Sequence, residues 1–238
     1  DYMDIKYECS QCEDTGYLPN GEKCNCLIQN LIDKAYEMSN IKNVLERENF
    51  DTFNINIFPD EPFEGEKLSP RENMKNISSI CVDFVNNFDM KNGENLLFYG
   101  STGLGKTFMS NCIAKALLDM NKIVIYQTAF KILEIIEKRR FGKDGTRFED
   151  YEYDLLFDCD LLIIDDLGTE LSNAFTNAEI FNIVNTRLLG GKKTIISTNL
   201  TPKEISEIYT DRVFSRVLEK FIPLKFYGPD LRYYKWEK

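Results

Sequence analysis

The chain has 238 residues, 43% apolar and 29% charged, the balance of a folded globular protein with room for one large domain or one domain and a small module. No apolar run approaches the roughly 18 residues that a membrane helix needs. No basic stretch followed by an apolar one opens the chain, so secretion is not expected and the cysteines are expected to stay reduced in a cytoplasmic setting. The net charge of −10 argues against indiscriminate binding to nucleic acid. Because the sequence opens on Asp1, it reads as a fragment that lacks N-terminal sequence.

Residues 1–26 form the first expected unit. Cys9-Ser-Gln-Cys12 and Cys24-Asn-Cys26 make the pattern C-x2-C-x11-C-x-C, with turn-forming residues between the pairs. Four thiolates so close together suit a tetrahedral Zn2+. All four positions would be protein ligands, so such a site is structural. The C-x-C half is tighter than the usual spacing, and reduced free cysteines or a redox pair remain as other readings. Cys81, Cys112 and Cys159 sit in apolar surroundings and read as core residues.

Residues 27–70 read as helix and linker. Leu27, Leu31, Ile32, Ala35, Met38, Ile41 and Leu45 recur at helical spacing, with a break expected near Ser39 and Asn40. Residues 50–70 are rich in turn formers. Ser69 followed by Pro70 is a helix start, and the helix is expected to run to Asp89 with Met74, Ile77, Cys81, Phe84, Val85 and Phe88 on one face. From Gly93 the pattern changes to short apolar runs alternating with helical stretches, at 95–99, 123–127, 161–165, 194–198 and 222–226. Five buried strands separated by helices imply an α/β fold, a parallel sheet covered on both faces, over residues 71–238.

Residues 100–107, GSTGLGKT, follow the first of these strands and precede a helix. The pattern G-x-x-x-x-G-K-[ST] in that context cradles phosphates. Glycines let backbone N–H groups curl around the anion, and the helix N-terminus adds favourable partial charge. The expected nucleotide site is Gly100, Ser101, Thr102, Gly103, Leu104, Gly105, Lys106, Thr107 and Phe108. Lys106 reaches the β- and γ-phosphates, and the Thr107 hydroxyl serves Mg2+. The third strand delivers Asp165 and Asp166 to the ligand edge of the sheet. Asp165 then holds Mg2+ through water, and Asp166 orients or deprotonates the attacking water. Many ATPases of this kind carry glutamate in the second role, so Asp166 points to slow hydrolysis. Asn199 ends the following strand, where a neutral side chain can bond the γ-phosphate or the attacking water.

Between the second and third strands the chain turns locally basic. Lys131, Lys138, Arg139, Arg140, Lys143 and Arg147 stand against Glu134, Glu137 and Asp144, and residues 140–150 read as an exposed loop. Farther on, Arg212 and Arg216 are four apart on a helical stretch and share a face. One reading is a solvated basic edge paired with Asp211 and Glu219. The other is an arginine finger offered to a neighbouring subunit's nucleotide.

Taken together, Tyr7-x-Cys9-x-x-Cys12-x-Asp14-x-Gly16-Tyr17 with Cys24-x-Cys26, then GSTGLGKT, LLIIDDLG, STNL and DRVFSRVLE resemble the bacterial replicative-helicase loaders of the DnaC/DnaI type, and more broadly the IstB-like AAA+ ATPases. The resemblance covers nearly the whole chain. It implies ATP and Mg2+ as ligands, Arg216 as the finger that joins subunits of a homo-oligomer, and Arg232 as the arginine that contacts nucleotide in its own subunit. It also implies single-stranded DNA at the basic stretch and the replicative DNA helicase as partner. Loaders of this kind dock on the helicase through a further N-terminal segment, of which this sequence holds little. Residues 227–238 are all that follows the fifth strand, so the helical lid common in such ATPases is expected to be nearly absent. A helper of a transposase and a nucleotide-dependent DNA-binding scaffold with negligible turnover remain as alternatives.

Overall fold

Five apolar runs pair into one sheet in a computed structural model of the chain, which describes residues 7–39, 41–90, 94–142, 147–170, 173–209 and 220–234. The strands are β1 (Asn95–Tyr99), β2 (Val124–Thr128), β3 (Leu161–Leu167), β4 (Lys193–Thr198) and β5 (Phe221–Lys225). Every pairing is parallel, in the order β2-β3-β4-β1-β5. Consecutive residues of a strand face opposite sides of the sheet. Leu96, Leu97 and Phe98 are all buried, as are Leu161, Leu162, Ile163 and Ile164, so both faces are covered, as the sequence pattern predicts.

Nine α-helices are described: α1 (Asn25–Ser39), α2 (Lys42–Leu45), α3 (Pro70–Asn86), α4 (Lys106–Asp119), α5 (Ala129–Phe141), α6 (Arg147–Asp158), α7 (Ala174–Leu189), α8 (Pro202–Ile208) and α9 (Leu231–Tyr234). Among the described residues none is long and apolar enough to cross a membrane. Local chemistry starts α3: the Ser69 hydroxyl accepts from the Glu72 amide, the Glu72 carboxylate accepts from the Ser69 amide, and Pro70 takes the first helical position. The helix stops at Asn86, short of the expected Asp89: Asn87 leaves helical geometry at φ −104°, ψ 17°, and the Phe88 amide turns in to Val85 O at 3.2 Å. The exposed loop expected over 140–150 is shorter than that. α5 runs to Phe141, and α6 starts at Arg147 because Leu155 and Leu156 bury a helical face in the core.

The lead-in segment is joined to the core. Leu31, Ile32, Ala35, Ile41, Leu45 and Phe58 belong to the same buried cluster as the sheet. β2 is an edge strand, and α1 covers its edge: the Tyr126 amide donates to Ser39 Oγ at 2.9 Å, and Gln127 Nε2 donates to Met38 O. On the other side of β3, Arg187 of α7 is a buried cation, 1% exposed. It donates to Leu156 O at 2.8 Å, Cys159 O at 3.1 Å, Lys193 O at 2.7 Å and Thr194 Oγ1 at 3.1 Å. One guanidinium thereby ties α6, α7 and β4 together while its donors stay satisfied.

β1 lies between β4 and β5, so the loop after β1 leaves at the point where the strand order reverses. That crevice, outside the carboxyl ends of the strands, is where open parallel sheets hold ligands.

Candidate functional site

The loop from β1 into α4 is shaped by residues that only glycine can be. Gly100 has φ +133°, and a Cβ there would lie 2.0 Å from Phe226 O. Gly103 has φ +75°, and a Cβ there would lie 2.0 Å from the Asp230 carboxylate. The Leu231 amide donates to Gly103 O at 3.0 Å, so the start of α9 is fastened onto the loop. The loop delivers Lys106 to the N-terminus of α4, where its side chain is folded inward. Nζ donates to Gly100 O at 2.6 Å, Ser101 O at 2.7 Å and Asn199 Oδ1 at 2.8 Å. Burial pulls the ammonium pKa down, while Asp165 and Asp166 push it back up.

The two aspartates do not simply end β3. The strand continues to Leu167, and its register with β4 shifts between Ile164 and Leu167, so both acids sit in a bulge. Asp166 has φ +53°, an uncommon left-handed value for a residue with a side chain. Its carboxyl is pushed up, first by burial and then by the Asp165 charge. Asp165 is buried at 6% exposure. Its Oδ2 accepts from Thr107 Oγ1 at 3.4 Å and from the Tyr126 hydroxyl, and its Oδ1 accepts from the Asp166 amide at 3.0 Å. Burial and the adjacent Asp165 raise the Tyr126 phenol well above its usual range, so it stays a proton donor. A hydroxyl and a buried carboxylate at hydrogen-bond distance, beside a phosphate loop, are the oxygen donors that Mg2+ takes, and the donor set fits that ion.

A cleft of about 880 Å3 runs past Thr102, Leu104, Lys106, Thr107, Phe108, Asp166, Asn199 and Arg232. Its far wall is made by Arg47, Glu48, Phe53, Asn54 and Phe58, which carried no motif and read only as helix and linker. Phe53 packs at a tilt against Phe58 and Phe108, with ring centroids 6.1 and 6.0 Å apart. Their approach across the fold has no signal in the local sequence. Arg232 reaches Thr102 Oγ1 at 3.3 Å, and Asp230 accepts from its Nε at 2.9 Å. Asp230 is a further site residue that the sequence did not reveal.

The cysteines form a second site. The four sulfurs of Cys9, Cys12, Cys24 and Cys26 lie within 4.8 Å of one another, with Cys9–Cys24 at 3.7 Å and Cys12–Cys26 at 3.4 Å. A tetrahedron with Zn–S bonds of about 2.3 Å has edges of about 3.8 Å, so the cluster fits zinc. Backbone N–H groups, first that of Cys12, lower the Cys9 thiol to about 7, whereas bonding to Cys12 pushes Cys26 up to about 12. Four neighbouring sulfurs cannot all be thiolates without a cation between them. The first knuckle is held by Asp14, whose carboxylate accepts from the Cys9 amide at 2.8 Å and the Glu8 amide at 3.1 Å. A bridge between Tyr17 and Lys23 carries the chain back to the second pair.

The basic stretch is less open than its composition suggests. Lys131 and Lys138 both pair with Glu134, at 2.9 and 2.7 Å, and hold its carboxyl down to about 2. Arg140 reaches the buried Glu179 at 2.7 Å. Lys138, Arg139 and Arg140 occupy the last turn of α5, where cations complement the helix dipole. Lys143 and the side chain of Arg147 lie outside the described residues, as do Arg212 and Arg216.

The family model of the bacterial DnaA ATPase domain matches residues 72–221. The replicative helicase loader DnaC of Escherichia coli (strain K12) is 30% identical over 146 residues, 61% of this chain, and the chain spans 58% of that protein's length. The crystal structure of the DnaC helicase loader superposes with a TM-score of 0.61 at 23% identity, covering 77% of this chain and 99% of that one. The crystal structure of DnaI gives 0.59 at 21% identity, covering 80% and 93%. These two likenesses show that the α/β fold with its parallel sheet is shared with those structures.

Proposed function

The chain belongs to the family of the bacterial DnaA ATPase domain, and from that premise we propose that it is an ATP-binding and hydrolysing helicase loader that helps place a replicative DNA helicase on single-stranded DNA. The observation that carries this reading is the convergence of Lys106, Thr107, Asp165 and Asn199 on one phosphate loop. The likeness to a loader in both sequence and fold supports the choice of loader over other ATPases.

In this reading Lys106 leaves Gly100 O and Ser101 O to meet the β- and γ-phosphates, a charge-assisted contact stronger than those to neutral carbonyls. Thr107 and Asp165 hold Mg2+, which supplies neutralising charge for the phosphates. Asp166 aligns the attacking water, and its side chain, shorter than the glutamate common in this role, reaches that water less well, so turnover is slow. Asn199 is already bonded to Lys106 and stands where it can read the γ-phosphate. Arg232 contacts nucleotide in its own subunit, and Arg216 serves the neighbour's in a homo-oligomer. Single-stranded DNA lies along α5 and the residues after it, on Lys131, Lys138, Arg139, Arg140, Lys143 and Arg147. Cys9, Cys12, Cys24 and Cys26 hold a structural zinc ion in a module over residues 1–26, joined by residues 27–70 to an ATPase domain over residues 71–238.

Asp166 also favours a second reading, a DNA-binding scaffold that binds nucleotide and barely turns it over. ATP turnover measured with and without single-stranded DNA and a replicative helicase separates the two. The loader is expected to bind the helicase and to hydrolyse ATP faster with both partners present. Helicase binding with no turnover under any condition would favour the scaffold, and no helicase binding by the protein carrying the N-terminal docking segment would overturn the loader.

A further inference from the structure

Asp165 is pinned at both oxygens, and the two pins differ in kind. Oδ1 is held by the amide of its own neighbour, Asp166, at 3.0 Å. Oδ2 is held by the hydroxyl of Tyr126, which lies 39 residues away on the adjacent strand. Strand register makes this meeting possible. Tyr126 pairs with Ile163 and Thr128 with Asp165, so Tyr126 is two places back on β2, on the same face of the sheet as Asp165. A long aromatic side chain leaning along the strand spans that diagonal. The tyrosine is itself fixed, because it is 8% exposed and its amide is bonded to Ser39 Oγ of α1.

We propose that Tyr126 is a positioning residue for the magnesium site: its hydroxyl holds the Asp165 carboxylate in the rotamer that faces Thr107 and the phosphate loop. The inference rests on the assignment of Asp165 and Thr107 as the magnesium residues. A carboxylate carries about four acceptor lone pairs, so the three protein donors, Thr107, Tyr126 and the Asp166 amide, still leave acceptor capacity for a water of the ion. Phenylalanine at position 126 fills the same space and packs the same way, and it lacks only the donor. Asp165 then keeps its bond to the Asp166 amide but can turn about it, and the oxygen aimed at Thr107 is no longer fixed. Groups that orient a metal ligand without touching the metal commonly matter about 10- to 100-fold in affinity or activity.

The test is a titration of magnesium against binding of a fluorescent ADP analogue, in the wild-type protein and in Tyr126→Phe, with thermal unfolding of both proteins recorded beside it. The wild type is expected to bind the analogue more tightly as magnesium rises. In Tyr126→Phe the magnesium concentration giving half of that gain is expected to rise about tenfold. Affinity for the analogue in EDTA is expected to stay within error of the wild type, whatever the lost hydrogen bond costs in unfolding temperature, a split that a merely structural role for the hydroxyl would not produce. An unchanged magnesium midpoint in Tyr126→Phe overturns the proposal, and so does a loss of affinity that is equal with and without magnesium. A wild type whose affinity ignores magnesium overturns the assignment of Asp165 and Thr107 instead.

Discussion

The cysteine cluster and the sheet differ in how much apolar packing surrounds them. Within residues 7–26 only Cys12 and Cys24 are buried, and Tyr17, the bulkiest side chain between the two pairs, is 52% exposed. There is no apolar core to hold that segment together. The sheet, by contrast, buries strand after strand of Leu, Ile and Val, and even closes over a charged side chain, Arg187. A short segment can dispense with a core when one ion gathers four ligands, because metal binding then supplies the folding free energy. A long segment can bury a cation when its donors find acceptors, here backbone carbonyls and the Thr194 hydroxyl. With zinc in the cysteine cluster, as proposed, the same chain would hold one unit that depends on a ligand and one that depends on packing.

The largest effect that tests this contrast is metal removal. Structural zinc contributes on the order of 10 kcal/mol or more to folding of small modules. A chelator should therefore abolish amide protection over residues 9–26 while the amides of β1, β3 and β4 keep theirs. Hydrogen exchange followed by mass spectrometry reads both at once, and equal loss in the two regions would show that they do not fold separately. Next in size is Arg187→Ala, which leaves the carbonyls of Leu156, Cys159 and Lys193 without their donor. A loss of about 3 kcal/mol is expected in denaturant unfolding of the sheet domain, with zinc content unchanged. The smallest is Asp14→Ala, which removes the acceptor of the Cys9 and Glu8 amides. Zinc affinity measured by competition with a chromophoric chelator should fall about tenfold, with no change in the unfolding of the sheet domain.

What the sequence disclosed follows the same division between local and distant chemistry. The phosphate loop was legible because its work is done by consecutive residues whose types the chemistry dictates. The cap of α3 and the four cysteines were legible for the same reason. The five strands were legible from uninterrupted apolar runs, each within a residue or two of its final bounds. Tyr126 was not, because in an apolar strand a tyrosine reads as core until the register sets it beside Asp165. Glu48, Phe53 and Phe58 were hidden in a stretch with no motif, and only the chain's path across the cleft brings them to the phosphate loop. Asp230 was hidden by its neighbour Arg232, whose charge drew the attention. The bulge at Asp165 and Asp166 was missed because an apolar run ending in two acids gives no sign that the strand continues past them. The ion pairs of the basic stretch were hidden as well. A count of charges does not reveal that Glu134 and Glu179 already engage Lys131, Lys138 and Arg140.

The central claim is that the loop at residues 100–107 binds the phosphates of ATP through Lys106, and equilibrium binding of Mg-ATP to the wild type and to Lys106→Ala tests it most directly. Lys106 donates three hydrogen bonds at the heart of the loop, and a charge-assisted bond to phosphate is about twice as strong as a neutral one. Loss of that ammonium should weaken binding by about 100-fold or more, roughly 3 kcal/mol at 1.4 kcal/mol for each factor of ten, while the protein stays folded and retains its zinc. An unchanged dissociation constant in Lys106→Ala would contradict the account.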